Sequence, residues 1–286
     1  MHGRAVALGA GTVLNALSTG VGSAFAIDAE TTAVVELDES GHTEGTVAED
    51  DAADTRLIER CVELAIETYG DEREETLSGG TVRTESDVPM AAGLKSSSAA
   101  ANATVLATAG ALGADPERLE ACRLGVEAAR DVGVTVTGAF DDASASMLGG
   151  VTVTDNETDD LLARDEVEWE VLVWTPAERA YTADADVDRC ANVTPMADLV
   201  ADLALDGRYA EAMTVNGLAF SAALGFSTDP AVEAMPHVAG VSLSGTGPSV
   251  VAVGDADGLD LVEKRWDQRD GQTWRTTTRT DGARLE

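Results

Sequence analysis

Lysine is almost missing from this 286-residue chain: two lysines, Lys95 and Lys264, stand against seventeen arginines. Basic residues as a whole are scarce, 19 against 52 acidic ones, for a formal charge of −33. A chain so acidic is repelled by nucleic acid and by acidic membrane surfaces, and neither is an expected partner. Cysteine is down to three, Cys61, Cys122 and Cys190, far apart, without metal-type spacing and with one left over in any disulfide scheme. That pattern fits a reducing, cytoplasmic compartment. His2, His42 and His237 are the only histidines and pair with no serine or cysteine motif, which removes the parts of a hydrolase triad or a zinc centre. No uninterrupted apolar run reaches about 18 residues, so no membrane span is expected. Ala24-Phe25-Ala26 mimics a signal-peptidase site, but Thr12, Asn15, Ser18 and Thr19 and several glycines interrupt the stretch before it and disfavour a signal helix. Gly-x-x-x-x-Gly-Lys-Ser/Thr occurs nowhere, which sets aside an ordinary P-loop kinase.

What is present describes a folded chain. Hydrophobic residues make up 44% of it, in long apolar segments, which weighs against an acidic disordered protein. An acid excess with abundant Ala, Thr, Val and Gly resembles a protein from a salt-loving organism, where molar salt screens charge beyond ~3 Å.

The most informative segment is Pro89-Met90-Ala91-Ala92-Gly93-Leu94-Lys95-Ser96-Ser97-Ser98-Ala99, a loop that opens into an Ala-rich helix through residue 111. Glycine lets a backbone approach an anion, and the free N–H groups and dipole at the helix start favour one there. Lys95 places one of two lysines inside that loop. A plain N-cap would use the same residue types.

Apolar spacing predicts a helix over 52–69 ended by Gly70, and a helix from Asp115 as N-cap and Pro116 as first helical residue to about Arg130. Strands are expected over 4–8, 24–37, 80–85, 151–154, 169–174, 238–243, 250–253 and 273–279. Further helices are expected over 194–206, 208–225 and 256–267. Residues 155–168 are acidic and without period, and read as a linker. The later alternation suits an α+β domain of ferredoxin-like type.

Pro89-x-x-x-Gly93-Leu94-x-Ser96-Ser97 resembles the ATP-binding motif of the GHMP kinases. Gly138-Ala-Phe-Asp141-Asp142-Ala143-Ser144 with Gly149-Gly150, and then Ser242-Leu-Ser244-Gly245-Thr246-Gly247-Pro248-Ser249, resemble that superfamily's second and third motifs in order. The run from Gly9 to Asp28, the Gly-Leu-Lys-Ser-Ser-Ser form of the loop and Gly-Ala-Phe-Asp-Asp-Ala look like the archaeal shikimate kinases in particular.

The resemblance implies an α+β, two-domain fold: a ribosomal-S5-domain-2-like domain over 1–155 with the phosphate loop, and a ferredoxin-like domain over 165–286. It implies phosphoryl transfer from ATP, with Mg²⁺, to the 3-hydroxyl of shikimate, by a monomer or homodimer. Residues 89–99 would hold ATP, Asp141 would accept the proton of the hydroxyl, and Asp142 is the competing base or a helix cap. Lys95 would neutralise phosphates or lower the Asp141 pKa. Ser97 and Glu127 would hold the metal. Thr12, Asn15 and Ser23, with Gly245, Thr246 and Gly247, would contact the substrate, whose carboxylate needs a cation from among Lys95, Arg4, Arg130, Arg265 and Arg269. Homoserine or mevalonate as acceptor, and a nucleotide-binding protein without catalysis, are the alternatives.

Overall fold

The computed structural model describes residues 1–70, 77–90, 92–135, 137–177 and 187–286. Among the described residues, eleven strands fall into two sheets. The first sheet is built on a long hairpin, β1 (His2–Leu14) against β2 (Val21–Asp38). β4 (Gly79–Ser86) and β3 (Thr43–Val47) extend it on one side in the order β11-β1-β2-β4-β3, β3 running parallel to β4. β5 (Val151–Asp155) pairs with the first half of β2, and β6 (Asp160–Asp165) with β5. The stretch read from its polarity as a linker is therefore largely a hairpin: residues 160–165 alternate between half-buried and exposed at a sheet edge, where charged side chains are tolerated.

The second sheet has the order β10-β7-β9-β8, with β7 at Glu170–Pro176, β8 at Gly240–Leu243, β9 at Val250–Gly254 and β10 at Gly271–Thr277. Counted from β7, that is 4-1-3-2, all antiparallel, with helices between strands one and two and between three and four: the ferredoxin-like arrangement. β11 (Arg284–Leu285), which the sequence did not reveal, returns to the first sheet beside β1.

Helices α1 (Arg56–Tyr69), α2 (Ser96–Ala111), α3 (Arg118–Asp131) and α4 (Phe140–Leu148) cover one face of the first sheet. The apolar stripe of α1, Leu57, Ile58, Cys61, Leu64 and Ala65, is buried there. α2 is different: its interior residues 101–109 are buried all round, as expected of an Ala-rich helix through the middle of a core. α3 begins two residues later than Pro116 suggests, because Glu117 is the cap and accepts the N–H groups of Leu119 at 2.9 Å and Glu120 at 3.1 Å. α5 (Thr194–Leu205), α6 (Tyr209–Leu224), α7 (Asp229–Ala234) and α8 (Ala256–Trp266) belong to the second half. A second core, with Phe25 and Ile27 of β2 packed with Val171, Val251, Met213 and Phe220, joins the two halves. All three cysteines are buried and none joins a disulfide. Among the described residues no helix is long and apolar enough to cross a membrane.

Candidate active site

A cavity of about 590 Å³ lies where the loop before α2, the start of α4 and the Gly-rich turn between β8 and β9 converge. Three backbone features build it. Lys95 and Ala139 both adopt left-handed conformations, φ +69° and +53°, at the points where the chain turns into α2 and α4. For residues with a Cβ this costs on the order of 1 kcal/mol each, and it aims both helix starts into the same space. Third, Gly93 sits against the backbone of the Gly-rich turn: a Cβ there would stand 2.2 Å from the carbonyl oxygen of Ser244 and 2.9 Å from that of Gly247. The Ser244 hydroxyl completes the contact by donating to the Gly93 carbonyl at 2.7 Å.

The residues of the loop that leads into α2 divide by what their side chains do. Met90, Gly93, Lys95, Ser96, Ser97 and Ser98 line the cavity, and no side chain caps the first N–H groups of α2. Ala92, Leu94 and Ala99 point into the cores instead, and Leu94 contributes its carbonyl, which accepts the Ala10 N–H at 3.1 Å. Pro89 lines a neighbouring cleft of about 340 Å³. Ala91 lies outside the described residues.

Asp141 and Asp142 occupy the first turn of α4 and both reach the cavity. Their surroundings separate them. The Asp142 carboxylate forms an ion pair with the Lys95 ammonium at 2.8 Å. Asp141 is 5% exposed; burial, and then the charge of Asp142, push its carboxyl up from 3.8 to about 7, against the opposing pull of Lys95 and of a hydrogen bond from Asn156. The close seat of Asp141 depends on Gly22 of β2, where a Cβ would fall 2.5 Å from the carboxyl carbon. Asn102, inside α2, donates to the Ala143 carbonyl at 2.9 Å and locks the two site helices together.

Asn156 was not found from sequence. It donates to Asp141 Oδ1 at 2.7 Å and accepts the Asp141 backbone N–H at 3.1 Å. An asparagine inside an acidic turn carries no spacing signal; only its pairing with Asp141 on α4 reveals it.

Thr12 and Asn15 line the cavity as expected, yet their polar atoms are engaged by protein. The Thr12 hydroxyl accepts the Gly245 N–H at 2.8 Å, and the Asn15 amide donates to the Gly245 carbonyl at 2.8 Å. Together they hold the Gly-rich turn, of which Gly245, Thr246 and Gly247 face the cavity. Two expected site residues are not brought there. Ser23 is fully buried in β2; because strand side chains alternate and neighbouring Gly22 faces Asp141, Ser23 turns to the opposite face, opposite Val153. Glu127 is exposed on α3, and it is the neighbouring Gly125, Val126 and Ala129 that meet the cavity. Among the described residues no group of three or more His, Cys, Asp or Glu is placed to hold a metal by itself.

Of the cations offered for a substrate carboxylate, four are committed elsewhere. Arg4 pairs with Glu286 at 2.6 Å, Arg130 with Asp159 at 2.6 Å and Arg269 with Glu233 at 2.8 Å, while Arg265 donates to the Glu233 carbonyl at 2.8 Å. Lys95 is the one basic side chain among the described residues lining the cavity.

An uncapped helix start facing a buried carboxylate across one cavity, on this pair of sheets, fits a small-molecule kinase of the GHMP type, and the family model for the GHMP kinases N terminal domain matches residues 56–150. The mevalonate kinase of Methanococcus jannaschii superposes with a TM-score of 0.77 at 15% identity, over 97% of this chain and 98% of that one. The homoserine kinase of Cytophaga hutchinsonii gives 0.74 at 16%, over 100% and 97%. At such identities the likeness is one of fold. Sequence relatives are far nearer: a shikimate kinase of Halobacterium salinarum is 64% identical over 99% of both chains, and one of Methanococcoides burtonii 49% identical over 98% of this chain and 97% of that protein. The chain belongs to this archaeal shikimate kinase family within the GHMP kinases.

Proposed function

We propose that the protein transfers the terminal phosphoryl group of ATP to the 3-hydroxyl of shikimate, with Asp141 as the base. The observation that carries the assignment of roles is the proton affinity of Asp141, raised by burial to about 7 inside the cavity that the α2 start also faces. A base of that affinity is about half ionised at neutral pH, able to take a proton and to hold it firmly enough to matter. Phosphoryl transfer asks the protein for alignment and charge stabilisation rather than covalent chemistry. ATP, when bound, supplies the phosphoryl group, and the N–H groups of residues 96–98 with Lys95 would cradle its phosphates. Mg²⁺ is held in such sites mainly by phosphates and water with one or two protein oxygens, and the cavity-lining Ser97 fits that part. Glu127, exposed on α3, does not.

Asp141 takes the proton of the acceptor hydroxyl as its oxygen bonds to phosphorus and the bond to the leaving oxygen breaks. Asp142, paired with the Lys95 ammonium at 2.8 Å, keeps that lysine near the cavity. For the anionic acceptor, Lys95 is the charged contact the site offers. The three thiols join no disulfide, which suits work in the reducing cytoplasm, and the enzyme would act as a monomer or a homodimer.

The test is coupled ADP release with Mg²⁺-ATP in roughly 2 M KCl, where screening is nearly complete, with shikimate, homoserine and mevalonate offered in parallel. Turnover with shikimate alone is expected. Turnover with another alcohol instead would leave the base and the loop in place and overturn the substrate.

A further inference from the structure

Asn156 closes the short turn between β5 and β6 and is 3% exposed. Its amide faces Asp141 as a two-way clasp. The nitrogen donates to the carboxylate Oδ1 at 2.7 Å, and the oxygen accepts the backbone N–H of the same residue at 3.1 Å. The orientation of the amide is fixed independently, because its oxygen also accepts the Thr154 hydroxyl at 2.8 Å. Its backbone is braced from both ends: the Asn156 N–H donates to the Gly20 carbonyl at 2.9 Å, and its carbonyl accepts Arg130 Nη2 at 3.1 Å. Arg130 is in turn held by both Asp159 oxygens, at 2.6 and 2.8 Å.

We propose that Asn156 is the positioning residue of this kinase: its amide fixes the rotation of the Asp141 carboxylate and stabilises its charged form, and the Arg130–Asp159 pair holds the Asn156 turn in place. The proposal rests on Asp141 being the base. The groups facing that carboxylate are few. Asp142 lies beside it on α4, Lys95 approaches from the loop before α2, and Asn156 comes from the turn, while β2 presents only Gly22. Lys95, the Asn156 amide and, more weakly, the backbone N–H of Asp142 favour the ionised form; Lys95 is already paired with the Asp142 carboxylate, which leaves Asn156 as the side chain given over to Asp141. A hydrogen bond to the charged form lowers proton affinity, so the asparagine offsets part of what burial imposes. In this family member a neutral amide thereby does for the base what a second cation would do at greater electrostatic cost.

The experiment follows the Asp141 side-chain carboxyl carbon by NMR in aspartate-labelled protein, with its signal assigned by loss in Asp141→Asn. No substrate is needed, so an absence of turnover with shikimate leaves this measurement untouched. In Asn156→Ala the titration midpoint is expected to rise by about one pH unit, a tenfold gain in proton affinity. Asn156→Asp keeps the shape and the acceptor oxygen but replaces the donor with a carboxylate, and its midpoint is expected to rise further. The kcat below pH 7, measured with whichever alcohol is turned over, should fall about tenfold in Asn156→Ala and further in Asn156→Asp, recovering above each new midpoint, with KM for ATP nearly unchanged. Loss of kcat equal at every pH, with the midpoint unmoved in either folded variant, would show a merely structural asparagine and overturn the proposal. So would a raised midpoint that leaves kcat at neutral pH intact.

Discussion

The Lys95 ammonium and the Asp142 carboxylate stand 2.8 Å apart, their side chains 6% and 19% exposed, in a protein with a net charge of −33. The single basic side chain among the described residues of the cavity wall is thus already neutralised before a ligand arrives. Any anion that enters must compete with Asp142 for it. Lys95→Met is expected to lower kcat/KM for ATP by roughly 10²–10³, the usual scale for a charged transition-state contact. Because the lysine also offsets Asp142, the double variant Lys95→Met/Asp142→Asn should unfold at a higher temperature than Lys95→Met alone. A double-mutant cycle by calorimetry is expected to give a coupling of about 1–3 kcal/mol.

Asp141→Asn should reduce turnover by roughly 10²–10⁴ while raising stability. The sign follows from the protons bound. The unfolded carboxyl loses its proton near 3.8 and the folded one near 7, so between those values the native state holds more protons and stability falls as pH rises. The asparagine variant escapes that loss. Its gain in Tm over wild type is expected to be small at pH 4 and full above pH 7, checked by thermal melts across that range.

Gly93→Ala tests the contact between the loop and the Gly-rich turn. The added methyl would sit 2.2 Å from a backbone carbonyl at φ +75°, so the turn must retreat. We expect a stability loss of about 1–3 kcal/mol and weaker ATP binding by calorimetric titration, with Asp141 titrating as before.

The charge imbalance sets the salt response. Fifty-two acids against nineteen bases repel one another at low ionic strength, and the Debye length shrinks from about 10 Å at 0.1 M to about 3 Å at 1 M. Tm should climb steadily from 0.1 to about 2 M KCl, and a flat profile would mean that the ion pairs already absorb the repulsion.

Much of the cavity wall was legible because an anion-cradle pattern is local in sequence. Gly93, Lys95 and Ser96–Ser98 lie in one contiguous run whose small residues and helix-start chemistry suit an anion cradle. Asp141 lies in a second such run, and the three motifs meet around one cavity. What sequence could not convey was direction. Ser23 and Gly22 are neighbours, but strand alternation sends only Gly22 toward Asp141. Thr12 and Asn15 have the hydroxyl and amide a polyol would want, and the fold uses those groups on the Gly245 backbone. Glu127 lies on the right helix and the wrong side of it. For the fold, a long periodic element such as α1 was readable, whereas the first strand was expected to stop at Leu8 and instead runs through Gly9 and Gly11 to Leu14, and β3, α7 and the two-residue β11 are too short to carry a period. β6 was missed because an edge strand rich in Asp and Arg has the composition of a loop.

The pairing of β11 with β1 joins Ala5 to Leu285 and Val6 to Arg284, and Arg284 and Arg279 both reach Glu30 on β2. During synthesis β1 emerges some 280 residues ahead of its edge partner. The border of β1 that β11 covers therefore stays open until the ferredoxin-like half has been made. Until then that border is an exposed strand edge, the kind of surface open to misassociation.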